Sequence, residues 1–338
     1  MEWDEEKAEN IVKAHKSRFS LRLTLKIIRV LFILFVVYTL YMIIVSLSYN
    51  VSDIGKRTEF YQKLAIDWTY PEFTTEVGVS FEENITPLLT QEIDIPLIKQ
   101  IGKEDFVVSE LHLRKPIFNT FTQVEVEKQY PYVTTNEHTY SFNLPYDPET
   151  NDKLSVNKNK DVWTSLENIH EGHVANIAFS FDNYYRPEEV MSLLSSYDLT
   201  VLWMPIYMGE GVEFDEGGWT GGSDTIALTQ PWGLSGAREA DKDYKSGSLL
   251  SLSEEWIKDS EEMMLYNMNM MLNEKKGHAE TLLGTSYLNE RYDYIKEHGF
   301  LAYGAIVTGP VKELIKLKEL KEIHNVILGD MHYWNWDD

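Results

Sequence analysis

A run of 22 uncharged residues near the N-terminus constrains this chain more than any other feature. It covers residues 30–51, VLFILFVVYTLYMIIVSLSYNV, and it is apolar on every side. At about 1.5 Å per residue, a helix of this length reaches about 33 Å, enough to cross a hydrocarbon core of roughly 30 Å. A signal peptide would be shorter and followed by a small-residue cleavage site, and a helix in a soluble core would carry a polar stripe. We therefore predict a single transmembrane helix at 30–51.

Basic residues flank this stretch asymmetrically. Seven Lys or Arg residues precede it, whereas only Lys56 and Arg57 occur in the ten residues that follow it. By the positive-inside rule, this asymmetry places the N-terminus in the cytoplasm and the remainder of the chain outside. We expect a single-pass protein of the cell membrane, with a cytoplasmic head at 1–29 and a large extracytoplasmic part.

Composition excludes several classes of function. The 338 residues include 54 acidic and 31 basic side chains, and the net charge of −23 argues against nucleic-acid binding, which needs a basic surface. The chain has no cysteine, which excludes disulfides, thiolate zinc sites, Fe–S clusters and a cysteine nucleophile. A large exported part without cysteine favours an envelope that does not depend on oxidative folding, such as that of a Gram-positive bacterium.

The extracytoplasmic part is predicted to divide where turn-forming and charged residues concentrate, in a linker at 146–161. The membrane-proximal module, 52–145, is expected to be rich in β structure. Its sequence predicts a short amphipathic helix at 58–68 and strands at 105–114 and 120–128.

The C-terminal module, 162–338, alternates between strand and helix patterns. Strands are predicted at 173–181, 199–207, 300–308 and 326–333. Helices are predicted from Pro187, from Ser253 as N-cap to about 276, from about 286 to 298, and at 310–320. Because β-α-β crossovers are right-handed, we expect an α+β domain of ferredoxin-like type, βαβ followed by αβαβ. A long glycine-rich insertion at 209–247 separates the two halves of this pattern.

The insertion contains the candidate ligand-contacting residues, Trp219 and Trp232. The alternative is that both side chains pin the loop to its own domain, because aromatic side chains bury readily. No phosphate-binding loop occurs in this insertion. Nearby, residues 170–173, His-Glu-Gly-His, lack zincin spacing and predict a turn before a strand, and residues 233–236 lack the spacing of a nucleophile elbow.

No other pattern in the sequence amounts to an active site. The helix after Ser253 carries Ile257, Met264, Met268, Met271 and Leu272 at helical spacing, which predicts a core-facing stripe; an oxidation sensor or a copper site is the alternative. An enzymatic function would need ionisable groups with perturbed pKa values beside the insertion. We therefore expect no catalytic residues, no metal site and no cofactor, and we predict that the chain is not an enzyme.

Several stretches resemble the sigma factor regulator family. Residues 303–313, YGAIVTGPVKE, and 334–336, Trp-Asn-Trp, are similar to its C-terminal signature, and 300–336 is the best-matching stretch. Residues 60–71 and 86–102 are similar to its N-terminal module. Members of this family are membrane-bound anti-sigma factors of Gram-positive bacteria that restrain extracytoplasmic-function sigma factors. The resemblance implies that this chain couples an envelope condition to the regulation of such a sigma factor.

Seven residues of this signature are predicted to have structural roles. They are Tyr303, Gly304, Thr308, Gly309, Pro310, Trp334 and Trp336. Gly304 would permit close approach of backbones within a strand, and residues 308–310 would form the turn into the last helix. The two tryptophans would anchor the C-terminus on the domain.

The cytoplasmic head offers a small candidate surface for a partner. A helix over 2–16 would present Trp3, Ile11 and Val12 as an apolar patch, far smaller than the roughly 800 Å² per partner of a standard interface. The expected partner is a sigma factor or a co-regulating membrane protein. The alternative function is a non-catalytic envelope protein that binds a ligand or has a structural role, without a part in transcription.

Overall fold

One long helix, α1 (Glu5–Val51), leads into the rest of the chain. The structure is a computed structural model that describes residues 5–77, 84–118, 122–128, 140–155, 160–170, 172–215, 219–220, 224–244, 246–274, 278–284 and 287–333. Within α1, the segment Phe19–Val51 is 33 residues long, and its most apolar window is not buried by the rest of the protein. In the described part of the chain, it is the one helix that is long and apolar enough to cross a membrane, and it contains the predicted span.

A second helix, α2 (Ile54–Thr69), begins two residues after α1 ends. The break is at Asp53, whose φ of 51° puts its backbone in the left-handed region. Twelve of the sixteen residues of α2 are buried, so the helix is part of the core rather than a surface element. The helix predicted at 58–68 is confirmed and extends further at its N-terminus, but its predicted amphipathic character was wrong, because every residue from 58 to 68 is buried.

An antiparallel sheet follows α2 in the order β1-β3-β4-β5, with β2 also paired to β3. Its strands are β1 (Thr74–Thr75), β2 (Asn84–Ile85), β3 (Thr90–Ile101), β4 (Glu104–Pro116) and β5 (Gln123–Lys128). The strands predicted at 105–114 and 120–128 are confirmed as β4 and β5. The sequence pattern does not predict β3, because two of its buried positions are polar, Gln91 and Lys99, and Pro96 stands in its middle.

The second sheet has the order β10-β7-β13-β6-β14, and all its neighbouring strands are antiparallel. The elements up to the end of the 209–247 segment are α3 (Lys160–Glu167), β6 (His173–Tyr185), α4 (Pro187–Leu194), β7 (Thr200–Pro205), β8 (Trp219–Thr220), β9 (Ala227–Leu228), β10 (Gly233–Leu234), β11 (Arg238–Ala240) and β12 (Gly247–Leu249). The elements that follow are α5 (Ile257–Leu272), α6 (His278–Leu283), α7 (Leu288–His298), β13 (Ala302–Pro310), α8 (Val311–Leu314), a 3-10 helix (Ile315–Glu319) and β14 (Ile323–Tyr333).

The long strands and helices of this second part agree with the sequence prediction, and so does the α+β class. Three details were wrong. The residue before α5 is Trp256, so Ser253 is not the N-cap. Residues 308–310 are not a turn but the end of β13. The last helix is one α-helical turn followed by a 3-10 helix rather than a continuous α-helix.

One hydrophobic core connects the two parts of the chain that follow the membrane helix. It contains Leu64 of α2 and Ile95 of β3 together with Ile177 of β6 and Met268 of α5. The methionine stripe of α5 therefore faces the core, as predicted. The tip of the β3–β4 hairpin also touches the second sheet, where the Gly102 N–H donates to the Thr308 Oγ1 at 2.6 Å. The division into modules at 146–161 stays a prediction, and the two parts pack against each other.

Glu261 on α5 provides a prediction about pH. This carboxyl is half-buried near Glu188 of α4, and burial together with that like charge raises its pKa from 4.5 to about 7. A carboxyl with a raised pKa in the folded state contributes stability that is fully present below its ordinary pKa and is lost as pH rises through about 7. We expect Glu261→Gln to reduce the decline in the free energy of unfolding between about pH 5 and 8, measured by urea denaturation in detergent.

The exposed neighbour Glu262 is the matched control for this measurement. Glu262→Gln removes the same charge from the same turn of α5. Because the Glu262 charge is the smallest of the influences that raise the pKa of Glu261, we expect this variant to keep most of the pH dependence of the native chain. An equal decline for Glu261→Gln and the native chain would contradict the prediction.

Candidate functional site

The candidate site is the contact of α2 with the 209–247 segment, β1 and β7, because only two residues separate α2 from α1 and whatever holds α2 also positions that helix. We call this contact the α2 clamp, and it consists of Asp67, Trp68, Thr75, Trp203, Trp232 and Arg238.

A buried ion pair is the polar part of the α2 clamp. Arg238 donates from Nε to the Asp67 Oδ2 at 2.5 Å and from Nη2 to the Asp67 Oδ1 at 3.2 Å, and each side chain is 2% exposed. The same guanidinium donates to the Thr75 Oγ1 at 2.8 Å and to the Glu76 carbonyl at 3.0 Å. Burial raises the pKa of Asp67, and the Arg238 charge offsets part of that rise. A bidentate pair of this kind fixes the relative position of its two elements.

Aromatic packing forms the apolar part of the α2 clamp. The indole of Trp232 stacks on that of Trp68 at 5.9 Å between ring centroids, and the Arg291 guanidinium lies 4.8 Å from the Trp232 ring. The Trp203 Nε1–H donates to the Asp67 carbonyl at 3.0 Å. Trp232 is 1% exposed, which is the position that the pinning interpretation expects. Trp219 lies in β8, and its side chain is outside the described residues.

Further buried or half-buried charges hold α2 and the strand after it. The Tyr61 hydroxyl donates to the Glu274 Oε1 at 3.0 Å, and Arg57 reaches the same oxygen at 3.3 Å. Lys99 on β3 pairs with both Glu72, at 2.8 Å, and Asp330 of β14. Although burial lowers the pKa of Lys99, these two carboxylates raise it above the ordinary value overall. The chain between residues 57 and 76 is therefore held by contacts from several elements.

The signature residues of β13 lie at close backbone contacts. Tyr303 is fully buried. A Cβ on Gly304 would lie 2.5 Å from the Phe179 carbonyl oxygen, and one on Gly309 would lie 2.8 Å from a carbonyl oxygen of the α4–β7 connection. Thr308 accepts the Gly102 N–H, and Pro310 ends the strand. The structural role of these positions stays a prediction, and Trp334 and Trp336 lie outside the described residues.

The head residues lie on the first turns of α1. Ile11 and Val12 are 63% and 64% exposed on a helix that is continuous with the membrane span, and Trp3 lies outside the described residues. Their role in binding a partner stays a prediction.

One cluster has side chains that could hold a metal ion. Ligand atoms of Asp94, Glu110 and His112 lie within 4.8 Å of one another on β3 and β4. The His112 Nδ1 is 2.6 Å from the Asp94 carboxylate and its Nε2 is 3.2 Å from that of Glu127, and the first of these contacts is the main reason that the pKa of His112 is raised. Both ring nitrogens thus have carboxylate partners without an ion. The sequence alone does not reveal this cluster, because its members come from different strands.

A cavity of about 250 Å³ lies beside the α2 clamp. Its lining includes Phe73 just before β1, Ile98 of β3, Trp203 of β7, and Gly236 from the 209–247 segment. Asp105 also lines it, and burial raises the pKa of that carboxyl. The cavity is slightly smaller than the roughly 300–1,000 Å³ of small-molecule sites.

Comparisons with known proteins cover most of the chain. A family model described as sigma factor regulator N-terminal matches residues 11–106, and one described as sigma factor regulator C-terminal matches residues 166–330. The chain is 24% identical over 278 residues to the probable anti-sigma-M factor YhdL of Bacillus subtilis (strain 168), a match that spans 82% of this chain and 70% of that protein. No solved structure matched the chain.

The α2 clamp joins the two regions that the family models match. Asp67, Trp68 and Thr75 lie in the N-terminal match, whereas Trp203, Trp232 and Arg238 lie in the C-terminal one.

Proposed function

This chain belongs to the sigma factor regulator family, and we propose that it is a single-pass anti-sigma regulator with its N-terminus in the cytoplasm and its folded part outside the cell. The two family matches and the likeness to a probable anti-sigma factor support the regulatory role. The basic residues before the membrane helix support the orientation, because basic flanks stay on the cytoplasmic side. Regulators of this family generally have no catalytic activity, and we propose that this chain is not an enzyme either.

We also propose that the folded part reports an envelope condition and that the regulated partner is an extracytoplasmic-function sigma factor. The observation that carries this proposal is the direct connection from the membrane helix through α2 to the α2 clamp. Only Ser52 and Asp53 separate the two helices, and α2 is buried over most of its length. A change in the folded part that shifts α2 would therefore move α1, which supplies a physical route to the cytoplasmic head.

The proposed function predicts that the partner binds through the cytoplasmic head, and substitutions there test it. We expect Ile11→Asp combined with Val12→Asp to lower recovery of the sigma factor, or of a co-regulating membrane protein, at least about tenfold, which corresponds to about 1.4 kcal/mol. The physical reason is that two charges replace the exposed apolar patch of α1. The measurement is capture of the tagged full-length chain from detergent extracts, with quantification of the partners that it retains.

Asn10→Asp is the matched control, because it adds a charge to the same exposed part of α1 without removing an apolar side chain. We expect it to retain the partner. The proposal is overturned if the native chain recovers neither kind of partner under conditions in which a known anti-sigma and sigma pair is recovered.

A ferredoxin-like arrangement is our proposal for the C-terminal part. The order β7-β13-β6-β14, with antiparallel neighbours throughout, supports it, because helix α4 follows β6 and helix α8 follows β13. The proposed glycine-rich insertion between the two halves supplies the Trp232 and Arg238 side chains of the α2 clamp.

A second candidate function is that of an envelope protein that binds a ligand and has no role in transcription. The cavity of about 250 Å³ beside the α2 clamp favours it. Deletion of residues 2–16 separates the two candidates, with transcription from the partner's promoters as the readout. Unchanged transcription would favour this second function, and altered transcription would exclude it.

A further inference from the structure

The end of the first sheet nearest α1 exposes an apolar tip. We define the tip as residues 86–89 and 117–118. These two segments are joined by a hydrogen bond from the Ile117 N–H to the Leu89 carbonyl at 3.0 Å. Leu88 is 88% exposed and Phe118 is 86% exposed, more than any other large apolar side chain in the described part of the chain. Two such side chains in adjacent segments need an explanation, because exposed apolar groups that cluster commonly mark an interaction surface.

The tip lies against the membrane helix. The Tyr41 hydroxyl donates to the Pro87 carbonyl at 2.8 Å, and further along the helix the Tyr49 hydroxyl donates to the Gln91 Oε1 at 3.4 Å. Tyr41 precedes the end of α1 at Val51 by ten residues, which is about 15 Å along a helix. The edge of the first sheet therefore lies along α1, and the tip lies farther toward the N-terminus of that helix than the rest of the edge.

The length of the apolar helix places the tip at the bilayer. The segment Phe19–Val51 includes Arg22, Lys26 and Arg29, and its uncharged part, 30–51, reaches about 33 Å, close to the thickness of a hydrocarbon core of about 30 Å. The core therefore extends to near Val51, which puts the tip, about 15 Å back along α1, within the leaflet on the side of the folded part. This position brings Leu88 and Phe118 to the lipid.

The chemistry of the tip suits an apolar medium. None of its six residues is charged. Part of its backbone is paired internally, since the Thr86 N–H donates to the Thr90 carbonyl and the Leu89 N–H to the Thr86 carbonyl, both at 2.9 Å, and the Thr90 N–H donates to the Thr86 Oγ1 at 3.2 Å. Backbone groups paired in this way avoid the cost of entering lipid unbonded.

We propose that the tip is a second membrane contact, in which Leu88 and Phe118 insert among the acyl chains of the leaflet that faces the folded part. Lipid is the occupant because the hydrogen bond from Tyr41 keeps the tip beside the membrane helix. This contact would hold the first sheet, and with it the segment around α2, at a set depth in the bilayer. The inference rests on the membrane span of the proposed function and is independent of the cytoplasmic partner.

Single cysteines test this proposal directly, because the native chain has none. Leu88→Cys and Phe118→Cys are each labelled with an environment-sensitive fluorophore in the full-length chain, which is reconstituted in phosphatidylglycerol and phosphatidylcholine vesicles. Some vesicles contain lipids with a nitroxide quencher on the acyl chain. Lys103→Cys, exposed at the opposite end of the β3–β4 hairpin, is the matched control, and Val37→Cys in the middle of the apolar helix reports insertion of the span.

We expect labels at 37, 88 and 118 to shift their emission to the blue and to be quenched by the nitroxide lipids, while the label at 103 does neither. Quenching at 37 without quenching at 88 and 118 would overturn the tip contact and leave the membrane span intact. Absence of quenching at 37 would overturn both. A blue shift at 88 and 118 that persists in detergent and requires a dimer would assign the tip to a second copy of the chain and would equally overturn the lipid contact.

Discussion

Arg238→Met is expected to lower the free energy of unfolding by about 3–5 kcal/mol, because it leaves the buried Asp67 carboxylate without its partner. The methionine keeps much of the apolar volume of the arginine, so loss of the charge and its hydrogen bonds dominates the effect. The measurement is denaturant unfolding of the full-length chain in detergent micelles, followed by circular dichroism. Since Asp67 and Arg238 connect α2 to the 209–247 segment, we also expect the variant to alter transcription that depends on the proposed partner.

Arg114→Met is the matched control. Its guanidinium is 61% exposed and pairs with Glu92 at 3.3 Å on the surface of the first sheet, so we expect a loss within about 1 kcal/mol. Adding Asp67→Leu to Arg238→Met should recover part of the lost stability, because the double variant no longer buries an unpaired charge. Equal losses for Arg238→Met and Arg114→Met would show that the buried pair does not hold α2.

Trp232→Ala is expected to cost about 3–5 kcal/mol of unfolding free energy, the usual range for removing a large aromatic side chain from a core. The variant loses the stacking on Trp68 and the contact with the Arg291 guanidinium, and it leaves a cavity between α2 and the second sheet. Denaturant unfolding under the same conditions measures the loss.

Trp256→Ala is the control for this substitution, since that side chain is 37% exposed just before α5 and should cost much less. The comparison also separates the two interpretations of Trp232. A large loss of stability agrees with a side chain that pins the 209–247 segment to the domain. A variant as stable as Trp256→Ala would contradict the core position of Trp232 and would return it to the ligand-contacting candidates.

Local features of the sequence were enough to predict much of the fold. The strand β4 and the methionine stripe of α5 follow from periodicity over one element, where each residue's environment repeats with the local geometry. The helix at 58–68 and the strand β6 were also predicted, although the structure buries both on all sides over most of their length. β3 was not predictable in this way, because Gln91 and Lys99 are buried polar residues whose partners lie elsewhere in the chain. The 3-10 helix after α8 likewise departs from a pattern that favours a longer α-helix.

The candidate site was less predictable than the fold. The sequence analysis selected Trp232 for its place in a long glycine-rich loop, but it did not select Asp67 or Arg238. These two residues are 171 positions apart, and each looks like one more charge in a highly charged chain. Because the chain has 54 acidic residues, the sequence around a carboxylate does not show whether it is buried or which cation it pairs with.

Hydropathy, periodicity and signature residues are properties of short stretches, so they were enough to predict the long apolar helix, the α+β class and the sigma factor regulator family. Only the folded structure shows that Arg238 pairs with Asp67, that the Trp232 side chain is buried against α2, and that Leu88 and Phe118 remain exposed beside α1. Burial and ion pairing depend on which distant segments meet, and that meeting is a property of the whole fold rather than of any stretch of it.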